Sequence, residues 1–499
     1  MNWKIIWKSL KHDDMRKRIF GVLGIIFVFR VLAQIPIPLA DPTTLKDLLN
    51  TLFTATQDTQ LLGVLDVLSG GALSNFSIML IGLGPYINAS IIMQLLTQAI
   101  PKLETLNKEG EYGRKKINQI TRMLTFPLAI IQSIGALFLV RQQAQSISGV
   151  DILANASAGT WVLMISALVG GAMLVMWLGE LITEQGVGNG VSLLITAGIV
   201  ATLPATIASI GTSVFTGASS FTVLGRTINY EAESIIIASV ILLAVIFTTW
   251  AVVKLNEAAR NLTINYAKRV QGNRTYGGVT TKLPVKLITA GVIPIIFAVA
   301  FLSVPSFVGQ LLVNNSSTRL RDLGSSLLEW FAQPSAQTFA QPGWTPYIYP
   351  LVYFVLIIAY TYFYTSITFN AKEIAENLQK QGGFIEGVRS GSATEKYLRA
   401  VVNRLTLFGS FALGFIALGP IIGQIFLSTN IAIGGTSVLI LVAVALETLR
   451  QVESRALMVT YDDYSTPDFV YGPSESDIDK DTKRAGRRFA LPRRRKNKK

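Results

Sequence analysis

The chain contains a series of apolar runs that are each about as long as a bilayer is thick. A helix needs roughly 20 consecutive apolar residues to cross the hydrocarbon core, and such runs recur along most of the 499 residues. Only 15% of the residues are charged. The pattern predicts an all-α integral membrane protein rather than a soluble fold. We predict ten transmembrane helices, at residues 19–39, 78–96, 123–140, 160–178, 189–203, 234–253, 287–312, 351–369, 405–427 and 431–449.

The positions of lysine and arginine predict the orientation of these helices. With the N-terminus inside, the inner segments carry 38 of the 44 Lys and Arg residues. Because basic residues accumulate on the cytoplasmic side, both termini are predicted to be cytoplasmic. The first apolar run ends in IPIP rather than in a small-residue cleavage site, so we interpret it as a retained span. The inner segments are 1–18, 99–122, 180–188, 254–286, 370–404 and 450–499.

The ten spans divide into two groups of five at the polar segment 209–232, which is predicted to be an outer linker. Five is an odd number, so two halves of similar fold would be inverted relative to each other, as in many transporters. The predicted domains are a cytoplasmic N-terminal segment, an N-terminal half, the linker, a C-terminal half and a disordered basic tail, at 1–18, 19–208, 209–232, 233–449 and 450–499.

The segment 62–96 is apolar, but its pattern does not predict one continuous helix. Gly70 and Gly71 interrupt its first part, and each glycine costs a helix about 1 kcal/mol relative to alanine. Gly84 and Pro85 interrupt the second part near its start. Broken helices at membrane depth occur where protein buries them or where they line a water-filled cavity. This segment therefore indicates a pathway through the membrane.

Composition and motifs weigh against other classes of function. The chain has no cysteine and one histidine, His12, so thiol metal sites and HExxH sites are excluded. No phosphate-binding GxxxxGK[ST] loop occurs. A secondary transporter for a small solute is the alternative, but the spans contain few charges beyond Arg30, Glu180 and Glu447. An intramembrane enzyme is disfavoured because no Ser/His, His/Glu or paired-Asp arrangement occurs in the spans, and no cofactor is expected.

The inner loops 254–286 and 370–404 are long, basic and partly helical in pattern. Their positive charge has two possible interpretations. It either serves only to orient the spans in the membrane, or it forms docking sites for a large acidic partner such as ribosomal RNA or an acidic motor surface. The tail beyond Arg450 ends in RRFALPRRRKNKK and is predicted to be disordered, with an attraction to anionic lipids. No DNA partner is expected.

Several segments together resemble the SecY family, the central subunit of the bacterial Sec protein-translocation channel. The resemblance extends from about residue 15 to residue 455 in unbroken order. It implies a clam-shell of two inverted five-helix halves around an hourglass pore, with a re-entrant plug half-helix. The matching segments are FRVLAQIPIP, LSGGALSNFSIMLIGLGPYINASIIMQLL, KEGEYGRKKINQITR, MWLGELITEQGVGNGVSLLI, INYAKR, AGVIPIIFA, FNAKEIAENLQKQGGFIEGVRSG and the GGTS at 434–437.

The resemblance implies a role for particular residues inside the membrane. A ring of aliphatic side chains would form the constriction of the pore, and the plug at 62–75 would lie on its outer side. A lateral gate would separate the spans containing Asn88, Gln94 and Gln132 from the span that begins at Leu287, where Thr289 lies and where Ile288 replaces the usual asparagine. The ring residues are Leu83, Ile87, Val191, Ile195, Ile296 and Ile440, and the plug residues include Leu65, Leu68, Gly70, Gly71 and Leu73.

The resemblance also implies partners and a function without catalytic residues. Lys268, Arg269, Arg274 and Arg389 would bind a motor ATPase of the SecA type or a ribosome. Small membrane subunits of the SecE and SecG type would complete the complex. The expected function is passive conduction of unfolded secretory polypeptides across the bacterial plasma membrane, with recognition of signal sequences and lateral release of transmembrane segments into lipid.

Overall fold

A computed structural model describes residues 13–37, 76–148, 157–215, 219–223, 226–230, 232–266, 269–271, 274–276, 280–313, 317–331, 334, 336–339, 343–427 and 435–464. Within these residues the chain is mostly helical. The helices are α1 Asp13–Leu32, α2 Gly84–Ala99, α3 Pro101–Lys108, α4 Glu111–Ser148, α5 Ala158–Gln185, α6 Gly190–Phe215, α7 Ala232–Glu257, α8 Ile293–Val313, α9 Thr318–Phe331, α10 Ala336–Phe339, α11 Thr345–Thr368, α12 Ala371–Lys380, α13 Ser392–Leu427 and α14 Gly435–Tyr464.

Each of the ten predicted spans overlaps one long helix, namely α1, α2, α4 to α8, α11, α13 or α14. By length and apolarity, five stretches of the described residues can cross a membrane. A shorter apolar helix covers Gly190–Pro204. The fold is therefore that of a polytopic helical membrane protein, and the ten-helix count is consistent with it. The five stretches are Glu111–Phe138, Ala158–Gln185, Ile293–Val313, Thr345–Lys380 and Ser392–Gly419.

The second span begins later than the sequence pattern predicts. Residues 78–83 form turns, and α2 begins only at Gly84, with Pro85 in its first turn. Proline suits this position because the first helical N–H groups have no partner within the helix. The backbone N–H of Ile78 is already committed, since it donates to the carbonyl of Ile35 at 3.0 Å. Ser77 completes this junction by donating to the carbonyl of Leu32 at 3.1 Å.

After α7 ends at Glu257, the regular structure in the described residues of the loop 254–286 consists of strands, contrary to the partly helical pattern assigned to it. It contains strands β3 Ala259–Tyr266, β4 Arg269–Gln271, β5 Arg274–Tyr276 and β6 Thr280–Lys286. In β3, Leu262 and Ile264 are buried and their neighbours are more exposed, which is the alternation of a strand with one covered face. Seven short strands in the described residues, including the hairpin β1 Ser219–Val223 and β2 Arg226–Tyr230, thus accompany the helices.

The two basic inner loops are joined in one small sheet. Strand β3 pairs with β6 and also with β7 Gly383–Ile385, which belongs to the loop 370–404. The first turns of α13 and the short helix α12 cover this sheet, and the buried contacts include Leu262, Ile264, Leu378, Leu398 and Val402. We call the end of the helix bundle that carries this sheet the basic end. The two loops therefore present a single folded surface.

Candidate functional site

The six aliphatic residues assigned to the ring all lie in or against the main apolar cluster of the described residues, which also includes side chains from α1, α5, α7, α11 and α13. Five of them are buried members of this cluster, and Val191 packs against it. They reach it from four different helices, because Leu83 and Ile87 lie at the start of α2 and Val191 and Ile195 at the start of α6. Ile296 lies on α8 and Ile440 on α14. Their exposed fractions are 1% for Leu83, 2% for Ile87, 1% for Ile195 and 6% for both Ile296 and Ile440.

The spacing along two of the helices explains how pairs of ring residues face the same point. Leu83 is the N-cap residue of α2 and Ile87 lies four residues later, so both occupy one face of the helix. Val191 and Ile195 repeat this spacing on α6. A collar of this kind offers no hydrogen bonds to water or ions, and apolar constrictions in channels close by dewetting.

The start of α6 is fixed by a tight turn after α5. The side chain of Asn189 accepts hydrogen bonds from the backbone N–H groups of Val191 at 3.1 Å and Ser192 at 3.4 Å, which caps the helix. The N–H of Gly190 donates to Thr183 Oγ1 at 2.9 Å. A side chain at Gly190 would collide with the carbonyl of Gly179. These contacts hold Val191 and Ile195 in register with the end of α5.

Helix α8 is supported on another side by α11. Phe297 packs edge-to-face on Tyr360 of α11, with ring centroids 6.0 Å apart. Phe301 contacts the same tyrosine with ring centroids 6.3 Å apart. Such aromatic pairs favour tilted geometries at this distance. Because Phe297 follows Ile296 directly, the aromatic contacts set the rotation of α8 and hence the direction of the ring residue.

The polar residues assigned to the lateral gate do not form hydrogen bonds across it in the described part of the chain. Asn88 is buried, and its Nδ2 has no hydrogen-bond partner. Gln94 Nε2 donates to Ser90 Oγ at 3.2 Å within α2. Thr289 turns back on its own chain and donates to the carbonyl of Lys286 at 3.4 Å. Gln132 is buried, and its Oε1 lies against Gly84 of α2.

Apolar contact is what joins α8 to the other side of this seam. Phe307 of α8 packs against Gly135 of α4, where an added Cβ would lie 3.1 Å from the phenyl ring. Ile288, the residue that replaces the family asparagine, packs inside the other half. Its Cγ1 would lie 3.4 Å from a Cβ placed at Gly409 of α13. The seam between α4 and α8 therefore depends on packing at Gly135.

Three of the four residues assigned to partner binding lie in the described parts of the two inner loops. Arg389 is exposed in the turn between β7 and α13, and its carbonyl accepts a hydrogen bond of 2.9 Å from Thr394. Arg269 and Arg274 lie on the paired strands β4 and β5. Lys268 lies outside the described residues. The same is true of the whole plug, which includes Leu65, Leu68, Gly70, Gly71 and Leu73.

An arginine joins α14 to the helix that precedes the sheet. Arg450 Nη2 donates to the carbonyl of Asn256, near the end of α7, at 2.8 Å. Cations favour the C-terminal end of a helix because its last carbonyls carry partial negative charge. Burial lowers the pKa of Lys286 in β6, and the neighbouring charge of Arg450 lowers it further, while Glu447 opposes this effect. The sheet is thus linked to the helix that carries Ile440.

Sequence reasoning recognised Glu180 only as an acid near a helix end, and it did not find the partner of Glu180. Arg122 of α4 donates one hydrogen bond to it, from Nε to Oε1 at 2.9 Å, and its Nη2 lies 2.5 Å from Oε2 in an ion pair. The Glu180 side chain is 15% exposed and that of Arg122 is 46% exposed. The two residues are 58 positions apart in sequence. No local spacing rule could have paired them.

Replacing Arg122 with glutamine is expected to lower the free energy of unfolding by about 1–3 kcal/mol, because the largely buried side chain of Glu180 would lose its ionic partner. The measurement is a denaturation curve of the purified protein in detergent micelles, titrated with SDS. Arg114→Gln, an exposed change in the same helix, is the control and should stay within about 0.5 kcal/mol of the parent. Equal stability of the two variants would contradict a structural role for the ion pair.

Comparison with solved structures shows that the chain shares its fold with channel proteins. One similar structure concerns the SecY plug domain and the closed state of the translocation channel; it has a TM-score of 0.59 and 18% identity and covers 90% of this chain and 94% of that one. A second, "The structure of a protein conducting channel", has a TM-score of 0.55 and 18% identity and covers 89% of this chain and 93% of its own. At this identity the likeness concerns the fold.

Sequence comparison identifies the family. The SecY family profile matches residues 77–449. The "Protein translocase subunit SecY" of Streptomyces galbus is 39% identical over 462 residues, which cover 92% of this chain and 98% of the relative. The protein of the same name from Mycobacterium tuberculosis strain H37Rv is 39% identical over 465 residues, covering 91% and 98%. The chain belongs to the SecY family.

Proposed function

We propose that this protein is the channel subunit of a bacterial protein translocase and conducts unfolded secretory polypeptides across the plasma membrane. The observation that carries the proposal is that the six aliphatic side chains assigned to the ring, from α2, α6, α8 and α14, lie in or against the main apolar cluster. Membership of the SecY family and the names of its relatives support it. The protein supplies a path, and the driving force comes from a partner.

The chemistry of the ring suits a substrate of variable sequence. Leu, Ile and Val side chains present no directional donors or acceptors, so they can pack around any extended chain without selecting particular residues. The same side chains disfavour a continuous thread of water when no polypeptide is present. One constriction therefore serves both as a seal and as a passage.

The proposal includes an orientation and a plan of two halves. Both termini lie in the cytoplasm, because the basic end of the bundle then faces inward. Five spans on each side of segment 209–232 form inverted halves, and the cluster lies where they meet. The segment 62–75 serves as the plug on the outer side of the ring.

Lateral release is proposed to occur where α8 meets α2 and α4. A hydrophobic signal sequence would separate Phe307 from Gly135 and replace that contact with its own apolar side chains. The unpartnered amide of Asn88 favours this opening, because a buried donor without a partner destabilises the closed state. Asn88, Gln94, Gln132 and Thr289 remain the proposed polar residues of the gate.

The partners are proposed to bind the basic end. The sheet joins both inner loops and displays Arg389, and the companion loop carries Lys268, Arg269 and Arg274. A motor ATPase of the SecA type or a ribosome, both with acidic surfaces, would bind here through charge complementarity. Small membrane subunits like SecE and SecG would bind the exposed apolar helix faces. Because α14 continues to Tyr464, the tail predicted to be disordered from residue 450 is helical in its first part, and the segment 465–499 would attract anionic lipids.

Crosslinking in the natural cysteine-free background tests the pore directly. A single cysteine at Leu83 or at Ile296 is expected to form a disulfide with a cysteine in a secretory chain stalled during translocation, because both side chains belong to the ring. Phe408→Cys is the control, since Phe408 is 65% exposed on the outer surface of α13. The measurement is the yield of the mixed disulfide on a gel. Failure at both ring positions, in protein that is inserted and assembled, would overturn the pore assignment.

A further inference from the structure

A polar cavity lies at the basic end, between the last turn of α11 and the first turns of α13. Its volume is about 280 Å³. The beginning of α12, at Asn370 and Ala371, closes one side of it. We call it the Arg399 cavity. The polar side chains that line it are Tyr362, Thr365 and Ser366 of α11 and Arg399, Asn403 and Thr406 of α13.

One of these side chains is buried with its polar atom unused. Thr365 is 3% exposed, and its Oγ1 has no hydrogen-bond partner. Two other threonines of the same helix behave differently, because Thr361 donates to the carbonyl of Ile357 at 2.6 Å and Thr368 to that of Tyr364 at 3.0 Å. A buried hydroxyl without a partner costs free energy. A ligand with acceptor oxygens in the cavity would remove that cost.

Arg399 is the only charged side chain that lines the cavity. One of its N–H groups, on Nη2, donates to Glu395 Oε1 at 2.9 Å. A guanidinium has five N–H donors, so donors remain for a second anion. The first 15 residues of α13 also contain Lys396 and Arg404, and Glu395 is the one acid among them. On the α12 side, Glu373 Oε2 accepts a hydrogen bond from Asn370 Nδ2 at 3.4 Å, and the backbone N–H of Glu373 donates to Asn370 Oδ1 at 3.3 Å. The balance near the α13 wall is positive.

An exposed apolar strip continues along α13 directly beyond the cavity. It consists of exposed side chains, two of which (Phe411 and Phe415) also contact the ring of Phe354 on α11; they are Leu407 at 50% exposure, Phe408 at 65%, Phe411 at 42% and Phe415 at 61%. The cavity itself lies where the predicted spans end, near residues 369 and 405. Donors at the membrane surface with an apolar strip beside them match an amphipathic ligand whose head carries phosphate and whose tail is hydrocarbon.

We propose that the Arg399 cavity binds the phosphate group of an anionic phospholipid, with the acyl chains along the apolar strip of α13. Arg399 binds the phosphate oxygens in the forked geometry that guanidinium groups favour. The hydroxyl of Thr365 donates a further hydrogen bond, and Asn403 and Tyr362 complete the polar wall. A zwitterionic head is disfavoured because its cationic group would lie near Lys396 and Arg404. The inference assumes the membrane placement given above, but it does not require that the protein conduct polypeptide.

Native mass spectrometry of the full-length protein, titrated with dioleoyl-phosphatidylglycerol in nonionic detergent, tests this proposal. Arg399→Gln is expected to weaken the tightest-bound phosphatidylglycerol about tenfold or more, since a hydrogen-bonded ionic contact is lost. Thr365→Val, which keeps the shape of the side chain, is expected to weaken it less but measurably. Arg114→Gln, an exposed change on α4, and Thr368→Val are the controls, because neither residue lines the cavity, and both should bind as the parent does.

Two further probes distinguish the sources of phosphate. Dioleoyl-phosphatidylcholine and inorganic phosphate are each added as competitors, and neither should displace phosphatidylglycerol. Displacement by inorganic phosphate would identify a site for a free anion and overturn the lipid proposal. Equal binding of phosphatidylcholine would overturn the proposed preference for an anionic lipid. Unchanged affinity in both Arg399→Gln and Thr365→Val would overturn the site itself. Because no translocation is measured, failure here leaves the channel proposal standing, and the crosslinking result does not affect this one.

Discussion

Serine in place of both Ile87 and Ile195 should raise the resting ion conductance of the protein about tenfold or more. These two side chains are 2% and 1% exposed in the ring cluster. Burying an isoleucine side chain contributes about 1.5–3 kcal/mol, and serine replaces that apolar surface with a hydroxyl that binds water. The cost of hydrating the constriction should fall by at least the 1.4 kcal/mol that corresponds to tenfold. The measurement is single-channel or ensemble conductance in planar bilayers without a translocating chain.

The control variant carries its two serine substitutions on the outer surfaces of the same two helices. Ile92 of α2 is 38% exposed and Val200 of α6 is 48% exposed. Serine at both positions adds the same hydroxyl groups to the same two helices while leaving the ring unchanged, so conductance should stay at the parent value. If the two double variants conducted equally, the seal would have to lie elsewhere in the molecule.

The helices were predictable because their signal is repeated within each segment. An apolar run of membrane length specifies a helix without reference to any other part of the chain, and each predicted span overlaps a helix of the structure. The small sheet was not predictable in this way. Its strand β3 pairs with β7, which lies more than 100 residues away in the sequence. The alternation of buried and exposed residues in β3 is short, since only Leu262 and Ile264 are buried in an otherwise polar loop. Short strands take their identity from such partners.

The features of the candidate site also differ in whether a local sequence signal could predict them. Ring positions such as Leu83 and Ile296 could be named only through the resemblance, since an isolated Leu or Ile in an apolar helix carries no signal of its own. The structure adds their common location in one cluster. The pairing of Arg122 with Glu180 and the close approach of Gly171 to Ile78 were invisible in sequence, because both join segments that are distant along the chain.

Alanine in place of Gly171 should lower the free energy of unfolding by about 1–3 kcal/mol or more. Gly171 of α5 lies against the backbone of Ile78, and an added Cβ would come 2.8 Å from the carbonyl carbon and closer still to its oxygen. Because the obstacle is backbone rather than a flexible side chain, the two segments must separate, and overpacking of this kind costs about that much. Residues 78–83 lead directly to the ring residue Leu83, so the same change should also disturb the seal.

The neighbouring glycine provides the control for this change. Gly170 is exposed, and a Cβ at this position would meet no atom within 4 Å. Gly170→Ala should therefore leave packing intact and stabilise α5 by up to about 1 kcal/mol through helix propensity. SDS titration of both variants in detergent micelles should separate them by roughly 1–4 kcal/mol, the sum of the two effects. If neither substitution lowered the free energy of unfolding, α5 would not be packed tightly against the backbone before α2. The position of the ring residue Leu83 would then have to depend on other contacts.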